Sequence, residues 1–137
     1  MKTEKSKEKT KTNYLPDVLG DGFNKLTLSL AYDYEGDAVA TLIRRNSKTQ
    51  TGTAILYIHG FNDYFFQEEM AKQFNNQGYN FYALDLRKYG RSHLSHQKLN
   101  NVRSLIEYDE EIDLALQIIK SENNNQVILK GHSTGGL

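Results

Sequence analysis

Three short apolar runs, "AILYI" at 54–58, "YNFYALDL" at 79–86 and "QVILK" at 126–130, are separated by two stretches of helical periodicity. That alternation restricts the fold more than any other feature of the chain. A strand with one wet face alternates apolar and polar residues, whereas a continuously apolar strand is covered on both faces, as in a parallel sheet. Between the first two runs, Phe66, Met70 and Phe74 fall four apart on one helical stripe, with Glu68 and Glu69 early and Gly78 as a C-terminal stop. Between the second and third, Ser104 and Glu107 have the spacing of a capping box for a helix reaching Lys120. Its apolar stripe reads Leu105, Tyr108, Ile112, Leu116 and Ile119, which leaves Glu107, Glu110, Glu111 and Asp113 mostly to water. Strand, helix, strand, helix, strand with short connections predicts a parallel sheet sandwiched by helices.

The residues before 54 have a different texture. "LPDVLGDGFNK" (15–25) is broken by Pro16, Gly20 and Gly22 and reads as irregular. "KLTLSLAYDY" then alternates Leu26, Leu28 and Leu30 with Thr27, Ser29 and Ala31, a half-buried strand. "GDAVATLIRR" (36–45) gives a second strand with Val39, Thr41 and Ile43 on one face, and a turn at Glu35-Gly36-Asp37 makes the two an antiparallel pair. Residues 1–13 place five lysines against Glu4 and Glu8 with Met1 as the sole apolar side chain. This basic leader is expected to be disordered and solvated, because it buries too little to offset the entropy of ordering. Residues 14–137 are expected to form part of a single domain.

Composition narrows the function classes. Lys and Arg number 17 and Asp and Glu 17, so no net field draws the chain to nucleic acid. With no cysteine, disulfides, thiolate metal sites and a thiol nucleophile are all excluded. The lysines of the leader have no apolar segment behind them, and no apolar run reaches about 18 residues, so neither a signal peptide nor stable membrane insertion is expected. The expectation is a cytoplasmic protein that needs neither metal nor cofactor.

The chemistry concentrates at "GHSTGGL" (131–137), where Gly131-His132-Ser133-Thr134-Gly135 follows directly on an apolar strand. G-x-S-x-G in that context is a nucleophile elbow, a strand-to-helix turn tight enough to hold the serine hydroxyl clear of the sheet. Gly131 and Gly135 lack the Cβ atoms that would meet neighbouring elements, and the following helix aims free N–H groups at the reaction centre. A second element is "IHGFND" (58–63), a His-Gly at the carboxyl end of the first parallel strand, where open α/β sheets meet ligands. Acyl transfer needs two N–H donors on the developing oxyanion. Thr134, after the nucleophile, and Phe61, after His59-Gly60, are the candidates, with Gly60 permitting close approach.

"LYIHGFNDYFFQEEMAKQFNNQGYNFYALDLRKYGRS" followed by "GHSTGG" resembles the α/β-hydrolase superfamily, and within it the lysophospholipase, monoacylglycerol lipase and serine-aminopeptidase-like branch. That branch shows an HG loop, then D-x-R-G-H-G-x-S, then GHSMGG. This chain has "DLRKYGRS" at 85–92, with Lys88-Tyr89 in place of Gly-His, and Thr134 where Met is common. The resemblance implies the amino-terminal half of an α/β-hydrolase sheet, an antiparallel pair followed by three parallel strands. It puts the 79–86 strand beside the 36–45 strand and the 54–58 strand beside the 126–130 strand. It also implies that Ser133 is the nucleophile, that Phe61 and Thr134 supply the oxyanion N–H groups, and that the substrate is a small lipophilic ester. The family's acid and histidine follow the serine and would lie beyond residue 137, as would its cap, so this chain taken alone is expected to be inactive. A non-catalytic binding protein of the same fold remains an alternative, as do peptidase, amidase, thioesterase and haloperoxidase chemistry.

Other side chains carry less. His59 and His132 read as packing groups of the loop and elbow. His93 and His96 lack a third ligand and read as solvated loop residues. Asp85 and Arg87 read as a loop-fixing ion pair or hydrogen-bond network. Asn62 and Tyr64 are possible substrate contacts. In "DYFF" (63–66), Phe66 is assigned to the core stripe, which leaves Tyr64 or Phe65 for the surface.

Overall fold

The computed structural model describes residues 14–60 and 63–131. Ten short segments build one mixed sheet with helices on both faces. The strands are β1 (Leu15–Pro16), β2 (Asn24–Ser29), β3 (Val39–Arg45), β4 (Thr53–Ile58), β5 (Asn80–Asp85) and β6 (Gln126–Gly131). The helices are α1 (Glu68–Asn76) and α2 (Asp109–Ser121), with 3-10 turns at Gly90–Ser92 and Leu105–Tyr108. The sheet order is β1-β2-β3-β5-β4-β6. β4 runs parallel to both β5 and β6, while β3 is antiparallel to β2 and β5. The neighbours are those the resemblance implies: β5 beside β3, and β4 beside β6. The structure therefore has the amino-terminal architecture of an α/β hydrolase.

Period-two alternation sends the two faces of each strand into separate cores. Leu26, Leu28, Ala40, Leu42, Leu56, Tyr82 and Leu84 pack under Tyr108, Ala115 and Ile119 of the α2 side. Phe23, Ile43, Ile55, Tyr57, Phe81 and Ala83 pack with Phe65 and Ala71 on the α1 side, where Met70 and Phe74 close the edge. Each fully buried aromatic or aliphatic side chain here contributes roughly 1.5–3 kcal/mol through removal from water. Gly78, at φ +91, ends α1, its N–H bonded to the Asn75 carbonyl.

Several elements differ from the sequence reading. Residues 15–16 form a strand, antiparallel to Asn24–Lys25; an edge position tolerates the missing N–H of Pro16. β2 stops at Ser29, and the reversal lies at Asp33–Gly36, where those two residues exchange both main-chain hydrogen bonds. Phe66 is 52% exposed, and Phe65 is the core residue. α1 starts only at Glu68, so helical spacing does not extend back to 66. Leu105 is exposed and Glu111 fully buried, the reverse of the expected α2 stripe. The first turn is 3-10, which rotates the following α-helix so that Glu111, Ala115 and Ile119 line its inner face. Ser104 accepts from the Ile106 N–H, but Glu107 returns to the N–H of Arg103 rather than Ser104. β6, expected to be covered on both faces, leaves Ile128 and Leu129 exposed. Among the described residues it pairs with β4 alone. The basic leader, 1–13, lies outside the described residues.

Candidate active site

The parallel strands converge on one end of the sheet. The last pair of the β4–β6 ladder is Ile58 with Gly131, and the last pair of the β4–β5 ladder is Ile58 with Leu84. His59-Gly60 therefore leaves the sheet beside the point where Gly131 closes β6. Counted along the sequence, Gly60 and Ser133 each come two residues after a member of that pair. Gly60 is buried and Gly131 exposed. Phe61, Asn62, His132, Ser133, Thr134 and Gly135 lie outside the described residues.

What is described is the footing of the site. His59 is buried, with Nδ1 2.8 Å from the Gly60 carbonyl and Nε2 3.1 Å from the Leu86 N–H. A main-chain N–H can only donate, so Nε2 accepts and the proton resides on Nδ1. Both ring nitrogens are committed to main chain, and the imidazole has no free lone pair with which to take a proton from a serine. Tyr89 stacks against it with ring centroids 4.6 Å apart. His59 is thus a brace for the loop. His93 and His96 also tie loops, each placing Nε2 against a carbonyl, of Gln97 and Asp37 respectively.

The turn after β5 carries the densest polar network. Asp85, fully buried, accepts from the N–H of Phe65 at 2.8 Å and from Arg91. Arg91 in turn grips Asp17 with two parallel bonds of 2.7 and 2.9 Å. Burial alone would push the Asp17 carboxyl up, but Arg91 and the Leu19 N–H outweigh it and hold the group below its ordinary value. Arg87 does not pair with Asp85: its guanidinium and its N–H bind Glu111, and it also reaches Glu110. Around Glu111, burial pushes the carboxyl up against the pull of Arg87. Lys88 is buried at φ +67, with Nζ 2.7 Å from Asp33 and 2.9 Å from Glu35. Gly90 is required by space as well as by its φ of +43. A Cβ there would come 2.5 Å from that of Tyr64 and 2.9 Å from an Asp85 oxygen.

Tyr64, a possible substrate contact in the sequence reading, is half-exposed and packs its ring on Phe66, 5.4 Å between centroids. Sequence reasoning missed Arg91, Asp17 and Glu111. Asp17 and Arg91 are 74 residues apart, and nothing in local spacing announces them. Glu111 did leave a signal, its i, i+4 alignment with Ala115 and Ile119. Among the described residues no group of His, Cys, Asp and Glu could hold a metal ion, and no helix is long and apolar enough to cross a membrane.

Comparison with known proteins gives three findings. A family profile described as serine aminopeptidase, S33, matches residues 49–137. No match is found among curated proteins. Solved structures do match: a thermostable carboxyl esterase from Bacillus coagulans superposes with TM-score 0.67 at 16% identity, over 81% of this chain and 37% of that chain. A monoglyceride lipase from Saccharomyces cerevisiae gives TM-score 0.55 at 22% identity, over 82% and 35%. A thioesterase domain from the curacin biosynthetic pathway gives 0.57 at 27% identity, over 81% and 36%. The chain spans little more than a third of the length of each.

Proposed function

Since the chain belongs to the serine aminopeptidase S33 family of the α/β hydrolases, we propose that the full protein is a serine hydrolase that cleaves carboxylic esters through an acyl-enzyme on Ser133. One observation carries the reading: the Ile58–Gly131 pairing sends the His59-Gly60 loop and the G-x-S-x-G segment off adjacent parallel strands at the same end of the sheet. A nucleophile and an N–H donor must lie within a few ångströms of one carbonyl, and neighbouring strands are about 4.8 Å apart.

In this reading Ser133 Oγ attacks the acyl carbon and passes its proton to a histidine. The N–H groups of Phe61 and Thr134 hold the oxyanion. The tetrahedral intermediate collapses as the alcohol leaves with that proton, and water then releases the acid from the acyl-enzyme by the same steps. The histidine is assigned outside residues 1–137 on the resemblance, in which it follows the serine; of the histidines in this chain, His59, His93 and His96 direct ring nitrogens at main-chain partners and His132 lies outside the described residues. Each oxyanion donor is worth roughly 10²–10³ in kcat. The proposed substrate is a small lipophilic ester, an acylglycerol or lysophospholipid among them. It is supported by the likeness to a carboxyl esterase and a monoglyceride lipase and by the exposed Tyr64–Phe66 pair.

A fluorophosphonate probe should label the full-length protein, and Ser133→Ala should abolish the label. Residues 1–137 alone should hydrolyse p-nitrophenyl esters no faster than their own Ser133→Ala version. Labelling that survives Ser133→Ala would refute the nucleophile. Absence of any label on the folded wild-type protein would point to a binding role for the fold. Peptide or thioester turnover outpacing ester turnover would reassign the substrate class.

A further inference from the structure

We propose that residues 98–106 form a docking face by which the full protein binds an anionic lipid surface. The choice of occupant rests on the reading of the substrate as a lipophilic ester, which gathers in such surfaces. The segment is turned against the usual preference, in which water draws charges outward and apolar side chains pack inward. Here Arg87 and Lys88 are buried on carboxylates, while Leu99, Leu105 and Ile106 stand 65, 53 and 74% exposed. One exposed leucine is ordinary, but three from one short segment mark a surface that meets something apolar.

Tyr34 brings the three together. Its hydroxyl lies 3.1 Å from the Asn101 carbonyl and 3.3 Å from Glu107 Oε1, and the Arg103 guanidinium sits 3.7 Å over its ring. The Asn101 side-chain amide donates to Glu35, and the Asn100 N–H donates to the Lys88 carbonyl. Residues 100, 101, 103 and 107 are thereby fastened to the body of the protein. Leu99 is left on one side of this peg and Leu105-Ile106 on the other. Lys88 belongs to the turn that follows β5, so the face lies at the carboxyl end of the parallel strands, the end at which Ile58 pairs with Gly131. Open α/β sheets receive their ligands at that end.

Charge selects the occupant. No acidic residue occurs from Leu86 to Ile106. Arg87, Lys88 and Arg91 are matched by carboxylates, whereas Lys98 and Arg103 are exposed and, among the described residues, in no ion pair. Glu107 turns its carboxylate to the Arg103 N–H and the Tyr34 hydroxyl, so the first exposed acid is Asp109. Apolar side chains flanked by cations are the composition of segments that lie in a lipid headgroup layer, where the aliphatic groups reach the acyl boundary and the cations meet phosphate.

The test is flotation of the full-length protein with phosphatidylcholine vesicles, with and without phosphatidylglycerol, in a Ser133→Ala background so that the probe is not hydrolysed. This parent should bind the phosphatidylglycerol vesicles more tightly, and salt should weaken that preference. Leu105→Ser with Ile106→Ser should weaken binding by roughly ten- to a hundredfold, and Leu99→Ser by about three- to tenfold. Lys98→Gln with Arg103→Gln should weaken it by roughly ten- to thirtyfold on phosphatidylglycerol vesicles and by less than about twofold on phosphatidylcholine alone. All variants keep the leader, so its lysines contribute equally. The substituted side chains are exposed, so melting temperatures should hold. Should the double serine variant melt low, Leu99→Ser alone carries the comparison. With Ser133 restored, each variant should hydrolyse a water-soluble short-chain ester at the rate of the wild type. Absence of vesicle binding by the parent, or equal binding by every variant, would overturn the proposal; equal binding is also the result if the rest of the protein covers this face. Serine variants that abolish self-association in the absence of lipid would overturn it in favour of a second copy. If the wild-type protein hydrolyses no ester, the hydrolase reading fails separately, and flotation still decides the docking face.

Discussion

Replacing Lys88 by glycine and, separately, by alanine separates two effects that its position combines. The side chain is fully buried, with Nζ bound to Asp33, Glu35 and the Asn101 carbonyl. Both variants lose those bonds equally and both should be less stable than the wild type. They differ in the backbone, which is left-handed at φ +67. An L-residue there costs roughly 1–2 kcal/mol. Glycine avoids that cost but gives back about 0.5–1 kcal/mol in unfolded-chain entropy. Lys88→Gly should therefore be more stable than Lys88→Ala by about 1 kcal/mol, or on the order of 2–4 °C in Tm. Urea and thermal unfolding of the full-length protein measure both. Alanine equal to or better than glycine would mean that the left-handed turn is absent in solution. Acid adds a second check. Lys88 holds the Glu35 carboxyl down to about 2 from 4.5, and at Asp33 it outweighs burial and keeps that carboxyl below its ordinary value. Both folded values are depressed, so this stabilisation is complete above pH 4.5 and fades as pH falls toward 2. Without the cation, two neighbouring carboxylates favour their protonated forms. The deficit of either variant relative to wild type should then shrink on acidification from pH 7 to 4, and a constant deficit would refute the ion-pair account.

Two further substitutions probe the corrected parts of the fold. Arg87→Met strands the fully buried Glu111 and should destabilise by about 3–5 kcal/mol, with most of that recovered by adding Glu111→Leu. Burial already raises the Glu111 carboxyl, so losing Arg87 raises it further. The single variant should gain stability as pH falls from 8 to 5, and urea midpoints that do not move would count against the pair. Phe65→Ala should cost about 3–5 kcal/mol and Phe66→Ala less than about 0.5. The opposite ranking by thermal melts would restore Phe66 to the core.

The sheet was legible because its signal is one-dimensional. "AILYI" is apolar on every residue and "YNFYALDL" on all but Asn80 and Asp85, and the structure puts Ala54, Leu56 and Ile58 into one core and Ile55 and Tyr57 into the other. At β6 the expectation of two covered faces was not met: "QVILK" has an apolar centre, Val127, Ile128 and Leu129, but only one strand neighbour among the described residues. An apolar run reports what a strand can be covered by, and does not report which element covers it. Helix phase failed at 66 and 105 for a related reason. A period is readable only inside an element, and both positions lie outside the α-helix itself, one in the irregular segment before α1 and the other in a 3-10 turn.

The polar framework of the site was far less legible, and its physics says why. In the resemblance, position 88 is usually glycine, and the left-handed φ observed there is the conformation that glycine adopts without strain. Lysine keeps that conformation and adds an ion pair to Asp33 and Glu35, more than fifty residues earlier in the chain. Arg91 does the same with Asp17, and Arg87 with Glu111. A charged side chain read in isolation is assigned to water, because burying an unpaired charge costs several kcal/mol. Each of these three basic residues instead meets carboxylates from a distant element, and all three stand within the turn at 85–92. That turn also supplies the Leu86 N–H to His59 and the Gly90 surface beneath Tyr64. Its charges are therefore pinned from three sides by β1–β2, the Asp33–Gly36 turn and α2, and it bonds both His59 and Phe65. A site that must hold a donor to within an ångström is better built on such a cross-braced turn than on the loop alone. The cross-bracing is a property of pairs distant in sequence, so it becomes visible only when the strands are in register.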